Sequence, residues 1–499
     1  MNKDNDCPLV NTRIAILGDF AGIQSFVLRP VPGVGGAGRR LRARSFRVLI
    51  LTRLVAEEVL SRFSDCKAEL LYCAGGRFMV LAQFCTDSND RVLKLQRELD
   101  NWLLTEFNGE LQFHLASSAM ESSLPSERLR DDMRLARQQP FKSVLAIDGQ
   151  WHSERFFSPA DDKWTRCKGC SCTAQLYSST ELKEDQEELC RFCAQDSELG
   201  KKMPSFNCPG VKQSSDGSLR FLDKLYSIGS NFQTPIQAID YVPQISGRVM
   251  TFEDLAERSR GRSWLGYLRM DADHIGEAFR NLSDDLDKVR SLSLLLNQYF
   301  TSGLQALITN TFRDVYPVYS GGDDLFMIGP WNVMVDFALA VAESFHQASS
   351  GKLSITGGLA LAKPRQHILT MSQEAQEALD IAKERRSCFR VLGQTLDWPK
   401  LKSALACAKE LADLYEQKAI SSALIHTALL LHQRWMDVEL RDYSYRSKMY
   451  YFIERNAQSK AKFRLRNIFL ESEEYWNAMG FILRYVILTK PSNNGEGNA

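Results

Sequence analysis

The sequence has almost no excess of charge of either sign: 62 lysines and arginines face 61 aspartates and glutamates in 499 residues, a net charge of +1. A chain without a global field draws in no polyanion as a whole, so any nucleic-acid contact must come from local patches or from partner subunits. It also lacks a secretory leader and any apolar run long enough to span a bilayer, which points to a cytoplasmic chain with no membrane partner. In that reducing compartment the twelve cysteines read as thiols or metal ligands rather than as a disulfide framework. What is present is ample core material, 44% hydrophobic residues, and a length that suggests roughly three or four domains.

The most informative stretch is Tyr319-Ser320-Gly321-Gly322-Asp323-Asp324-Leu325-Phe326. The apolar runs 315–320 and 325–328 have strand composition, and glycines between them supply the positive φ of a tight hairpin, which puts Asp323 and Asp324 at its tip. Taken alone, Gly and Asp are also ordinary turn residues. A two-metal site needs a further carboxylate from another strand. Residues 264–270 form a strand-like run that ends in Asp271-Ala272-Asp273. A long helical pattern over 275–300, the hairpin, a helical segment through Phe337 and Phe345, a strand at 353–361 and a helix over 372–383 follow. That is the β-α-β-β-α-β order of a ferredoxin-like domain, in which Asp271 and the hairpin tip lie side by side.

The same order occurs earlier, so the chain reads as internally duplicated. Residues 13–17 form a strand ending in Gly18-Asp19, 41–63 a helix, 67–72 a strand leading to Gly75-Gly76, 92–107 a helix and 111–117 a strand. After its glycines this copy has Arg77 and Phe78, so it lacks the carboxylates for two metals and reads as a degenerate partner that still holds a nucleotide at Gly75 and Gly76. Between the copies, Cys167-Lys168-Gly169-Cys170 and Cys190-Arg191-Phe192-Cys193 have the spacing of a closed, four-cysteine structural zinc site. Cys172 is a spare thiol. The match of Gly33, Gly35 and Gly38 to G-x-G-x-x-G follows no strand directly, and Glu57 and Glu58 fall inside a helix, which excludes a Rossmann fold.

Together, Gly18-Asp19-Phe20-Ala21-Gly22-Ile23-Gln24, Leu41-Arg42-Ala43-Arg44, the four-cysteine knuckle followed by Leu199-Gly200-Lys201-Lys202, Leu268-Arg269-Met270-Asp271-Ala272-Asp273 and the GGDD run resemble the large Palm-domain subunit of type III CRISPR effector complexes. The resemblance covers nearly the whole chain. It implies an α+β fold of two ferredoxin-like Palm domains separated by a zinc knuckle, then a C-terminal helical domain: residues 1–150, 151–250, 251–396 and 397–499 respectively. It implies a nucleotidyltransferase of antiviral defence that converts ATP into cyclic oligoadenylates when target RNA binds. The complex is guided by crRNA, with backbone, small and crRNA-tag-binding subunits as partners. Asp271, Asp323 and Asp324 would hold Mg2+ or Mn2+ and be catalytic; Gly321, Gly322, Asp273, Ser293 and Lys383 would touch nucleotide. For Lys383 and Ser293 a solvated or packed helix position is an equal or stronger reading. Many members begin with a nuclease domain built on a His-Asp pair. None of the seven histidines here precedes an aspartate, so single-stranded DNA cleavage is not expected of this chain. Alternatives are a catalytically silent scaffold of the same complex and a cyclic dinucleotide synthase of the diguanylate cyclase type.

Two basic patches stand out. In Arg39-Arg40-Leu41-Arg42-Ala43-Arg44-Ser45-Phe46-Arg47, helical phasing turns Leu41 and Phe46 inward and fans the arginines outward. From Arg446 to Arg466, lysines and arginines interleave with Tyr450, Tyr451, Phe452 and Phe463, a mixture that suits RNA stacking or a partner subunit, although aromatics at this spacing are more often core. Residues 153–163 and 213–217 read as flexible joints and the polar tail as disordered.

Overall fold

The computed structural model describes residues 12–490 apart from 30–35, 121–123, 125, 148, 153, 155–164, 175, 177–187, 207, 233, 437–443 and 473–474. The 153–163 joint and most of the polar tail therefore lie outside the described residues. The first palm runs β1 (Arg13–Ala21), α1 (Ala37–Arg62), β2 (Glu69–Ala74), β3 (Arg77–Gln83), α2 (Ser88–Phe107), β4 (Gln112–Met120) and α3 (Ser126–Gln138). Its sheet is antiparallel in the order β2-β3-β1-β4. Strand β1 is buried on both faces, with Ile14 and Ile16 on one side and Ala15 on the other, because α3 covers the face that α1 and α2 leave open.

Helix α4 (Arg191–Lys202), which follows the four-cysteine knuckle, and a small sheet over 209–235 come next. Residues 213–217 are not a joint between domains. They turn the chain within this sheet, with Ser214 N–H donating to Leu225 O, and Gly217 lies too close to the Tyr226 backbone for a Cβ.

The second palm repeats the plan: β5 (Leu265–Ala272), α5 (Ile275–Asn281), α6 (Leu286–Gln298), α7 (Leu304–Asn310), β6 (Tyr316–Gly321), β7 (Asp324–Pro330), α8 (Trp331–Ala348), β8 (Ile355–Ala362) and α9 (Ile368–Lys383). A hairpin of β9 (Cys388–Val391) and β10 (Gln394–Asp397) extends the sheet to β6-β7-β5-β8-β9-β10. The first four strands match the first palm's order. So does an irregularity: pairing skips one residue between Leu70 and Tyr72 in one hairpin and between Pro317 and Tyr319 in the other. A bulge repeated at the same place is strong evidence of duplication. The single long helix expected after Asp271 is instead broken, because Asp285 starts a new helix by accepting from Lys288 N–H at 3.1 Å.

Of the five arginines over 39–47, only Arg39 is exposed; the others do not fan outward. Arg40, Arg42, Arg44 and Arg47 are as buried as Leu41 and Phe46, since α4 packs directly on this face. The approach is so close that a Cβ on Gly200 would sit 2.0 Å from Arg39 O. Arg44 Nε and Arg47 Nη2 bind the two oxygens of buried Asp196 at 2.9 and 2.8 Å. Arg42 bridges Gly200 O at 2.6 Å and Tyr316 Oη at 2.7 Å, tying the knuckle helix to the start of β6. Such pairing is what permits guanidinium groups in an interior.

Helices α10 (Trp398–Glu416), α11 (Ser422–Met436), α12 (Tyr445–Asn456), α13 (Ser459–Arg466) and α14 (Met479–Leu488) share one core with the second palm. On α12 and α13, Met449, Ile453 and Leu465 supply the core, while Tyr450, Tyr451 and Phe463 are exposed, Phe463 at 77%. No helix among the described residues is long and apolar enough to cross a membrane.

Candidate active site

Register places the carboxylates. Asp271 pairs directly with Asp324 across β5 and β7, so their side chains leave the same face as neighbours. Gly321 pairs with Asp324, leaving Gly322 and Asp323 as the two turn residues. Only Gly322 of the two glycines takes a positive φ, 70°, as a first turn position of the II′ kind requires. Gly321 has no such φ, and a Cβ there would only touch the Gly75 backbone, at 3.4 Å. Ala272 N–H donates to Asp323 O at 2.8 Å, so the third acid is held against the end of β5.

Three acids this close oppose one another's ionisation. Burial, then the charges of Asp323 and Asp271, push the Asp324 carboxyl up to about 7. Burial also raises Asp323 and Asp271. Opposing cations are few. Lys383 Nζ, at the end of α9, lies 2.8 Å from Asp271 Oδ2. Arg269, two residues before Asp271, is buried under Tyr319 and Phe326 and donates to Ser372 Oγ and Gln376 Oε1; its charge and the Tyr319 hydroxyl, 3.3 Å from Asp324 Oδ2, favour the ionised carboxylate. Neither Arg269 nor Tyr319 was singled out from sequence. A charged residue alternating with Asp271 inside an apolar strand was the signal available for Arg269.

An oxygen-only, electron-rich cluster with elevated pKa values suits a hard divalent cation, whose charge would replace the missing counter-charge. Asp271, Asp323 and Asp324 are the candidates to hold one, although among the described residues only the four cysteines below bring their ligand atoms within 4.8 Å of one another.

Asp273 does not join them. It is 4% exposed and accepts from Ser354 Oγ, Thr356 Oγ1 and Ser387 N–H at 2.7, 2.7 and 3.1 Å. Ser293 is buried on α6; its neighbours Leu294 and Asn297, not Ser293, line an interpalm cavity of about 290 Å³ together with Gly75, Ser320 and Gly321. A smaller cleft of about 130 Å³ brings Gly75 and Gly76 of one palm to Tyr319, Gly321 and Asp324 of the other.

The first palm has the same geometry with different chemistry. Asp19 pairs with Arg77 across β1 and β3 just as Asp271 pairs with Asp324, and Ala74 with Arg77 closes the turn. The two turn residues are therefore Gly75 and Gly76, so Gly76 and Arg77, rather than Arg77 and Phe78, stand where Asp323 and Asp324 stand. Arg77 Nε binds Asp19 Oδ1 at 2.7 Å and Arg137 of α3 binds Oδ2. Guanidinium groups neutralise this acid, leaving nothing for a metal.

Cys167, Cys170, Cys190 and Cys193 are buried with their sulfurs within 4.8 Å of one another. The Cys170–Cys190 separation of 3.8 Å equals the edge of a tetrahedron with Zn–S bonds of about 2.3 Å. Gly169 and Cys190 N–H groups and the Arg44 guanidinium point at these sulfurs, at 3.3, 3.1 and 3.3 Å, as thiolate charge demands. The four residues fit zinc. Cys172 packs against this cluster without belonging to the group of four, its thiol between Glu110 and the Cys170 carbonyl.

Comparison with known proteins bears on the same two halves. The family description "Cas10/Cmr2, second palm domain" matches residues 264–388, and "Csm1 subunit domain B" matches residues 14–147. The chain is 25% identical over 442 residues to the CRISPR system single-strand-specific deoxyribonuclease Cas10/Csm1 (subtype III-A) of Thermococcus onnurineus, covering 77% of this chain and 55% of that protein. The protein of the same name from Mycobacterium tuberculosis is 25% identical over 433 residues, covering 73% and 52%. The chain thus spans about half the length of the curated relatives it matches. Among solved structures, a Csm1–Csm4 cassette in complex with cA4 superposes with a TM-score of 0.72 at 19% identity, over 96% of this chain and 70% of that one. The cassette in complex with one ATP gives 0.73 at 21%, over 96% and 70%. These structural likenesses carry the fold. Two domains described for the Cas10/Csm1 family are thus matched in order in this chain, on either side of the four-cysteine knuckle.

Proposed function

We propose that this chain is the large subunit of a crRNA-guided type III complex and that, once target RNA is bound, it converts ATP to cyclic oligoadenylates at Asp271, Asp323 and Asp324. The observation that carries the reading is the pairing of one carboxylate-rich hairpin with one carboxylate-free hairpin across a shared cleft. That asymmetry suits a reaction between two nucleotides with distinct roles. That related cassettes were solved with ATP and with cA4 supports it.

Divalent cations held by the three aspartates would supply Lewis acidity, activating a ribose hydroxyl and offsetting charge on the attacked α-phosphate. The chain's own residues do the rest. Lys383, already within 2.8 Å of Asp271, is placed to bind phosphate oxygens, and Arg269 and Tyr319 favour the ionised form of Asp324, against the burial and acid charges that raise its pKa. Gly321 and Gly322 let backbone approach the triphosphate. Gly75 and Gly76 present the second nucleotide from the opposite wall, turning an encounter into an effectively intramolecular step. Pyrophosphate is the leaving group. The sequence in hand contains no His-Asp pair, and the reading assigns no nuclease activity to its residues.

The test is incubation of the purified, target-RNA-bound complex with labelled ATP and Mg2+ or Mn2+. Cyclic product is expected from wild type and not from Asp323→Ala/Asp324→Ala. Equally little product from both would remove the synthase reading in favour of a scaffold, and preferential use of GTP would favour a cyclic dinucleotide synthase.

A further inference from the structure

Asp273 is where a fourth metal ligand would be sought, yet both of its oxygens are taken by donors of the protein. Three hydrogen bonds from Ser354, Thr356 and Ser387 occupy a carboxylate that is almost fully buried. The Ser387 contact is unusual in its backbone. Arg386 and Ser387 are consecutive non-glycine residues with φ of 60° and 46°. L-residues hold such a pair of left-handed conformations only where surrounding contacts impose it. Here Asp273 imposes it, by accepting the Ser387 N–H.

That turn leaves the end of α9, whose last residue is Lys383. Lys383 Nζ lies against Asp271, and Arg386 swings back so that its guanidinium rests on the ring of His274, 2.7 Å from Nδ1. No carboxylate among the described residues pairs with Arg386. One buried acid thus anchors the turn that brings Arg386 onto His274, three residues beyond Asp271, while Lys383, on the helix just before that turn, stands on Asp271 itself.

We propose that Asp273 is a positioning residue and not a metal ligand: it fixes the turn after α9 so that Lys383 and Arg386 form a clamp for the terminal phosphates of the nucleotide. This rests on the reading of Asp271, Asp323 and Asp324 as the nucleotide site. Lys383 neutralises Asp271 in the empty cleft, and a triphosphate entering there offers its ammonium and the Arg386 fork several charged acceptors within the same reach. Terminal phosphates bind in the ground state and leave as pyrophosphate, so the clamp acts mainly on nucleotide affinity.

The experiment uses the target-RNA-bound complex and reads KM for ATP, kcat, the Mg2+ concentration for half-maximal rate, and direct binding of a non-hydrolysable ATP analogue. Arg386→Ala is expected to raise KM about tenfold, the worth of one charge-assisted hydrogen bond, with Arg386→Lys recovering part of it. Asp273→Ala is expected to raise KM at least as much, to leave the Mg2+ requirement unchanged, and to add nothing in a Lys383→Ala/Arg386→Ala background. If Asp273→Ala lowers expression of folded complex, Asp273→Asn serves in its place. A higher Mg2+ requirement in Asp273→Ala would make it a metal ligand and overturn the proposal. So would additive effects in the triple variant, or an unchanged KM and analogue affinity in Arg386→Ala. A wild-type complex that binds no analogue would instead overturn the underlying nucleotide reading.

Discussion

Gly75 and Gly322 meet tip to tip: a Cβ on Gly75 would stand 2.9 Å from both the Cα and the N of Gly322. Each is the first turn residue of its hairpin, each has a positive φ, 60° and 70°, and each belongs to a palm with the same strand order. The palms therefore face one another about an approximate twofold axis between these two glycines. Asp323 is carried across that axis to within reach of Arg77, whose charge favours its ionised form.

Gly75→Ala is accordingly expected to damage the site without touching a catalytic group. The methyl would meet backbone, which has no rotamer to give, and the left-handed φ adds a strain of about 1 kcal/mol. Thermal unfolding should shift only a few degrees, whereas cyclic product should fall at least tenfold because the tips are forced apart. Unchanged product would show that close approach of the hairpins is unnecessary.

Asp324 makes the site pH-sensitive in a defined direction. Its folded-state carboxyl titrates at about 7 against about 3.9 in an unfolded chain. The stability linked to it is therefore full below about pH 3.9 and is lost as pH rises to about 7, a difference on the order of 4 kcal/mol in metal-free protein. Asp324→Asn should raise the Tm of magnesium-free protein at pH 8 and do so much less at pH 5, measured by thermal denaturation at both. Added Mg2+ should raise the wild-type Tm at pH 8 and hardly at pH 5.

Much of this was legible in the sequence, for physical reasons. The palms announce themselves because strand and helix periodicities, Gly-Gly turns and CxxC spacings are local properties. The reversal of the α1 arginines was not legible. Helical phasing shows which residues share a face, but Arg40, Arg42, Arg44 and Arg47 are buried by α4, a helix remote in the chain whose Asp196 supplies the counter-charge. Pairing register was equally hidden: counting from the glycines aligns Arg77 with Asp323, while the strands align it with Asp324. Asp273 read as a nucleotide contact, since it would face the same way as Asp271 if the strand continued. The chain leaves the strand at Ala272, and hydroxyls from β8 and the residue before it capture the side chain.

Asp196 should be among the costliest surface-distant acids to remove. Asp196→Ala leaves the Arg44 and Arg47 guanidinium groups buried without their shared carboxylate, and breaking such a cluster on one side costs about 3–5 kcal/mol. The exposed pair Lys402–Glu343, by contrast, is worth less than about 1 kcal/mol. Because Arg44 also donates to Cys193 Sγ, zinc and fold should fall together: Asp196→Ala is expected to lower bound zinc, measured by a colorimetric chelator, along with Tm, and Glu343→Ala to change neither.

The first palm should resist conversion into a second active site. Arg77 occupies the place of Asp324, so Arg77→Asp sets a new carboxylate beside Asp19, as Asp324 stands beside Asp271. Gly76 still offers no equivalent of Asp323, and Arg137, bound to Asp19, stays as a competing cation where Lys383 stands in the other palm. With one of its two counter-charges removed, buried Asp19 faces a like charge and both carboxyls are driven toward protonation. Arg77→Asp should therefore lower Tm at pH 8 and lose less at pH 5, where one carboxyl takes up a proton. Combined with Asp323→Ala/Asp324→Ala it should yield no cyclic product at any Mg2+ concentration. Product from that triple variant would mean that carboxylates at two register positions suffice, and that Asp323 is dispensable in the second palm as well.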